Sequence, residues 1–133
     1  MIKTIEFQKK IYALIVKKNF KLKLNSIKFF TKSNYSQQLG YMNRPKGYKI
    51  APHMHKKNSR KVFRTQEVLF IKKGLVKINF YNPLGKLFRS QILSSGDIIM
   101  LAYGGHGFEM LKNSEILEVK QGPFSKSKDK IFF

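Results

Sequence analysis

The sequence predicts an all-β domain, a sandwich or a barrel. Three observations predict it. From Pro52 onward, short runs rich in branched and aromatic residues recur at eight-to-twelve-residue spacing. Glycine, proline, asparagine and serine stop each run. The chain also has enough apolar material for one core and no more, with 133 residues, 42% hydrophobic and 14% aromatic.

The elements follow in chain order. The first forty residues are less regular. Lys10 to Lys18 reads either as a short helix or as a strand, and Leu22, Leu24, Ile27 and Phe29 alternate with lysines as a half-buried strand does. Ser33 to Gly40 is turn-like. Gly40 to Pro52 holds two prolines and two glycines, so it is a shaped connection rather than a helix. Glu67 to Ile71 is a β-rich run stopped by Lys72-Lys73-Gly74. Val76 to Phe80 alternates and stops at Asn82-Pro83-Leu84-Gly85. Leu87 to Leu93 stops at Ser94-Ser95-Gly96-Asp97. Ile98 to Leu101 is apolar and runs into Gly104, Gly105 and Gly107. Ile116 to Gln121 alternates up to Gly122-Pro123, and Ser125 to Phe133 is a mainly polar tail.

Charge excludes less than its size suggests. Lys and Arg total 27 against 7 Asp and Glu, a formal +20. Only Arg44, Arg60, Arg64 and Arg89 are arginines, and the lysines are dispersed without a run of five. A specific nucleic-acid binder concentrates its charge in a stripe and uses the arginine fork, so a solvated surface is the preferred reading. The absence of cysteine excludes disulfides, thiolate zinc sites and a cysteine nucleophile. The apolar stretch Ile11 to Val16 is too short to span a bilayer, and no signal-peptide cleavage pattern follows it. A soluble, cytoplasmic protein is expected.

The chemistry gathers at three histidines. His53-Met54-His55 places two imidazoles two residues apart, on one face if the segment is a strand. Glu67 shares a strand face with Leu69 and Ile71, and a carboxylate on a buried face is costly unless it is paired or holds a cation. His106 lies among glycines and shares a face with Phe108 and Met110. Three imidazoles and a carboxylate suit a divalent transition metal: Fe, Mn, Ni, Zn or Co.

These residues carry a resemblance. Gly47, His53-x-His55, Glu67 and Gly74, followed by Gly96-Asp97 and His106, resemble the two motifs of the cupin superfamily. Over residues 47 to 110 the chain is similar to small bacterial cupins associated with nucleotide-sugar and surface-polysaccharide genes. The resemblance implies a single-domain double-stranded β-helix, the jelly-roll barrel. It divides the chain into an irregular N-terminal extension over 1–46, a barrel over 47–124 and a tail over 125–133. The extension is expected to pack on the barrel or on a partner in a homodimer. The resemblance further implies a metal bound inside by His53, His55, Glu67 and His106. Three features depart from the family pattern, one being that His106 comes slightly early after Gly104. The gap from His55 to Glu67 is eleven residues, with Lys56 to Thr65 forming a polar insertion, and Ala102 stands where proline is common. Gln66 and Glu109 are the alternatives to Glu67.

Other candidates surround this set. Arg44, Lys46, Tyr48 and Tyr103 are the candidate substrate-binding residues, with Arg44 suited to clamp an anion. Glu109, Tyr103 and Lys120 are candidate bases. Glu118 shares a strand face with Lys120. That face is solvent if Leu117 and Val119 are core, and otherwise Glu118 supports a ligand histidine. The preferred function is a metal-dependent enzyme acting on a small anionic or sugar-like substrate, by isomerase, epimerase or oxygenase chemistry. The alternatives are a non-catalytic module binding a sugar or acid, a metal-free nucleotide-sugar isomerase, and a basic nucleic-acid-binding protein.

Overall fold

The computed structural model describes residues 2–133. The described residues hold ten strands and no helix, and every strand pairing is antiparallel. No helix among them is long and apolar enough to cross a membrane. The chain divides into two compact units. One contains the residues up to Phe20 together with Arg64–Phe133, and the other is Lys21–Phe63.

The first unit is a two-sheet sandwich. It opens with β1 (Ile2–Phe7) and β2 (Lys10–Val16), so Lys10 to Val16 is a strand rather than a helix. Gln8 and Lys9 join them, both at positive φ. That is the backbone of a tight primed turn, which matches the right-handed twist of its strands. Neither residue is glycine, so the composition of the turn did not announce the hairpin.

The remaining strands of this unit are β5 (Glu67–Lys73), β6 (Leu75–Tyr81), β7 (Leu87–Ser94), β8 (Ile98–Leu101), β9 (Gly105–Met110) and β10 (Glu115–Lys120). All six lie where alternation and turn residues predict them. The five-stranded sheet runs β1-β2-β8-β5-β10, and the three-stranded sheet runs β7-β6-β9. Ile5, Ala13, Ile15, Leu69, Ile71, Ile99 and Leu101 from the first meet Val76, Ile78, Phe80 and Leu93 from the second in one buried core. Each fully buried aliphatic side chain is worth about 1.5–3 kcal/mol, which makes this interface the main source of stability.

The second unit, Lys21–Phe63, carries the hairpin of β3 (Ser26–Phe29) and β4 (Gly40–Asn43), with Ile27 opposite Met42. The alternation expected from Leu22 becomes a strand only at Ser26. Asn25 takes positive φ, which breaks the extended run, and Leu24 is left exposed. Residues 48–63 carry no regular secondary structure and are exposed throughout. The strand expected under His53 and His55 is therefore absent, and Pro52, which has no N–H for a ladder, stands beside them.

At one end of the sandwich the β7–β8 turn is held by Asp97, which is fully buried. Its carboxylate accepts hydrogen bonds from the Lys18 backbone N–H (2.8 Å), the Ser94 backbone N–H (2.9 Å) and the Lys17 ammonium. Burial pushes the Asp97 pKa up. The bond from Lys17, the two backbone bonds and the Lys17 charge outweigh that, and hold it below the ordinary aspartate value. Asp97→Ala orphans these donors and is expected to cost about 3 kcal/mol. A folded-state pKa below the unfolded one stabilises above the unfolded value, near pH 4, and the benefit is lost as pH falls through the folded value. Urea unfolding from pH 7 down to pH 3 should show the gap between wild type and variant narrowing with acid. A gap unchanged over that range would contradict this account.

Candidate functional site

The opposite end of the sandwich is polar. Glu67 opens β5, opposite Leu101 of β8 on one side and Lys120 of β10 on the other. The burial of β5 alternates, with Glu67, Leu69 and Ile71 buried, so Glu67 points inward as its pattern predicts. His106 lies on β9 opposite Phe80, and Phe108 lies opposite Ile78. Phe80 and Ile78 are core residues, so His106 and Phe108 also face inward, from the other sheet.

The two sheets thereby bring Glu67 and His106 together. His106 Nε2 is 3.9 Å from Glu67 Oε2, too long for a hydrogen bond. Among the described residues, no group donates a hydrogen bond to the Glu67 carboxylate. Burial raises the Glu67 pKa, and the neighbouring Glu118 carboxylate raises it further, against the opposing charges of Lys120 and Lys130. Burial lowers the His106 pKa, with the Gly104 backbone pulling the other way. Both groups are pushed toward their neutral forms, so the pair gains little as an ion pair.

On β10, Leu117 and Val119 are not core, and Glu118 is itself exposed, its side chain 42% accessible. Glu118 pairs with Leu69 and Lys120 with Glu67, so both stand on the inward side of the sheet, while Leu117 and Val119 are 61% and 57% exposed. Alternation alone had pointed to Leu117 and Val119 as core, and the register on β5 inverts it. Lys120 Nζ lies 3.7 Å from Glu118 and 3.6 Å from Asp129 of the tail. Asp129 also accepts a hydrogen bond from the Thr65 hydroxyl (3.1 Å). The tail ends with Phe133 edge-on to the Tyr81 ring at 5.2 Å and over Gly105, where a Cβ would come within 2.8 Å of it. Sequence reasoning missed the tail, because its polarity gave no sign of these long-range partners.

The other candidates fall elsewhere. Glu109 faces away from His106 and pairs with Lys77 at 3.7 Å. Tyr103, in the β8–β9 turn, packs edge-on against Tyr12 and lies beneath Arg64 and Lys10. The remaining candidates belong to the Lys21–Phe63 unit. Arg44 stacks over the Tyr48 ring at 4.4 Å and donates to Asn25, while Lys46 is exposed in a turn closed by Tyr48 N–H to Pro45 carbonyl. His53 and His55 converge without a strand. Their rings are 5.4 Å apart, and His53 Nδ1 is 2.8 Å from the Ala51 carbonyl. Among the described residues, no three His, Asp or Glu side chains are gathered into one metal-binding group.

Compared with protein-family models, with curated proteins and with solved structures, the chain matches none.

Two predictions follow from the polar end. The tail contacts predict that Asp129→Ala frees the tail and exposes His106. Its carbethoxylation rate, read by mass spectrometry at pH 7, is expected to rise several-fold, and an unchanged rate would exclude a covering role. The second concerns pH. A carboxyl whose folded pKa is raised stabilises fully below its unfolded value, near pH 4.3, and loses that contribution as pH rises through the folded value. Glu67→Gln removes this loss. The variant should match or exceed wild-type stability at pH 7 and fall behind it only in acid, as measured by chemical denaturation.

Proposed function

We propose that this protein is a metal-binding cupin with a jelly-roll barrel, and that it acts as a metal-dependent enzyme on a small anionic or sugar-type substrate. A cytoplasmic homodimer belongs to the same reading. The observation that carries it is Glu67, an inward-facing carboxylate whose side chain is only 12% exposed, set 3.9 Å from His106 on the facing sheet. Buried carboxylates are ordinarily paired, hydrogen-bonded or bound to a cation.

Two further features support the reading. The order β8-β5-β10 over β7-β6-β9 is the interleaving expected of six successive strands in a double Greek-key barrel. Glu67 and His106 are two of the four ligands that the cupin resemblance assigns, and His53 and His55 are the other two. One carboxylate oxygen and an imidazole nitrogen suit a divalent first-row ion.

A bound ion would supply Lewis acidity toward a carbonyl or hydroxyl oxygen. The chain's own groups set the proton inventory around it. Burial favours a neutral His106, whose nitrogen is then free to donate a lone pair. Lys120, beside Glu118 and Asp129, is the cation on the inward face and the candidate general acid or base. Glu118 contributes negative charge that opposes ionisation of Glu67 and favours cation binding.

Elemental analysis tests this directly. Protein purified without chelator and reloaded with Mn, Fe, Co, Ni or Zn is expected to hold about one ion per chain. Glu67→Gln, His106→Ala and His53→Ala should each weaken retention by tenfold or more. Retention that none of the three variants alters would refute the site. A ligand that raises the melting temperature without being converted would favour the binding module. Turnover that survives complete chelation would favour the metal-free isomerase.

A further inference from the structure

We infer that Arg64, Lys10 and Tyr103 form a phosphate-binding subsite beside the Glu67–His106 end of the sandwich. This deepens the proposed function by naming an anionic group of the substrate, but the binding it predicts does not require a metal. The Arg64 guanidinium lies 4.8 Å from the centre of the Tyr103 ring, and the Lys10 ammonium lies 5.9 Å from the same centre. Two cations therefore share one aromatic ring. Among the described residues neither has a carboxylate partner within ion-pair distance, as is true of every Lys and Arg here except Lys17, Lys77 and Lys120. Like charges on one ring repel, and a bound dianion relieves that repulsion.

The ring itself is firmly placed. Tyr12 is fully buried and meets Tyr103 edge-on at 5.3 Å. Gly104 takes positive φ and packs so closely on the Tyr12 ring that any Cβ there would collide with it. Arg64 and Lys10 are exposed and Tyr103 is half-buried, so both cations are open to solvent. Position along the chain completes the inference. Arg64 precedes Glu67 by three residues, Leu101 opposite Glu67 leads by two residues to Tyr103, and His106 follows three residues later. A phosphate at Arg64 and Lys10 would leave the rest of a small phosphomonoester to extend along the same end of the sandwich. The guanidinium fork matches two phosphate oxygens, and the ammonium adds a point charge.

The test uses full-length protein treated with chelator, at physiological ionic strength so that the general positive field is screened. Inorganic phosphate and a hexose 6-phosphate are titrated by calorimetry into wild type, Arg64→Gln, Lys10→Gln, the double variant and Lys28→Gln, an exposed lysine in the other unit. Saturable phosphate binding is expected, weakened about tenfold by Arg64→Gln, several-fold by Lys10→Gln, more by the double variant, and less than twofold by Lys28→Gln. Tighter binding of the sugar phosphate than of inorganic phosphate would identify a phosphomonoester as the ligand. Equal binding of the two would leave free phosphate as its source. Equal weakening by all the charge variants, or preference for a single-stranded oligonucleotide lost equally across them, would overturn the subsite in favour of diffuse polyanion adhesion. Failure of metal retention with phosphate binding intact would remove the metal reading and leave this one standing.

Discussion

Asp97 is the constraint on which the sandwich turns. It is buried and charged, and its donors come from Lys17 and Lys18, eighty and seventy-nine residues away in sequence, as well as from its own turn. The backbone of its turn adds two more ties, because the Asp97 carbonyl accepts from Ile71 N–H while Gly96 N–H donates to the Ile71 carbonyl. One turn thereby joins the end of β2, the middle of β5 and the start of β8. Strand β8 lies between β2 and β5 in the sheet, so its register sets both neighbours. A slip of one residue would turn Ile99 and Leu101 out of the core. A fully satisfied buried carboxylate excludes that slip, because every shifted register leaves it unpaired.

The polar end inherits its geometry from this register. With Ile98 set after Asp97, Leu101 stands opposite Glu67. The chain then leaves β8 through Tyr103 and the glycines to bring His106 down on β9 opposite Phe80. The two ends of the sandwich are thus chemically opposite. At the Asp97 end a carboxylate is surrounded by donors and stays ionised. At the other end Glu67 lacks donors and is pushed toward protonation. In a chain with only seven acidic residues, that contrast separates a carboxylate used for folding from one left available for chemistry.

Much of the fold is legible in the sequence because β5 to β10 obey local rules. Val76, Ile78 and Phe80 alternate cleanly and are all buried, and glycine or proline marks the turns around them. Legibility fails where a decision is not local. The β1–β2 hairpin turns on Gln8 and Lys9, which carry no turn signature. The inward face of β10 depends on its partner, so Glu118 and Lys120 face the interior side while Leu117 and Val119 do not. Gly96-Asp97 is recognisable as a motif, but nothing nearby shows that Lys17 and Lys18 will enclose it. Of the site, the facing of Glu67 and His106 was legible from alternation, whereas the Asp129 and Phe133 contacts of the tail were not. The strand expected under His53 and His55 does not form; their rings lie 5.4 Å apart in an irregular segment, with His53 against the Ala51 carbonyl.

The large positive charge takes on a narrower meaning once these positions are known. In physiological salt an exposed charge is felt over a Debye length of about 8 Å, so most of the 27 Lys and Arg cannot act on the Glu67–His106 end. The cations that matter are local. Lys120 stands beside Glu118 and Asp129, which absorb its charge. Lys130 is close enough to perturb both Glu67 and His106. Arg64 and Lys10, on Tyr103, have no such counter-charge. An anion approaching this end therefore meets a handful of nearby cations, and their placement rather than the total charge decides what it feels.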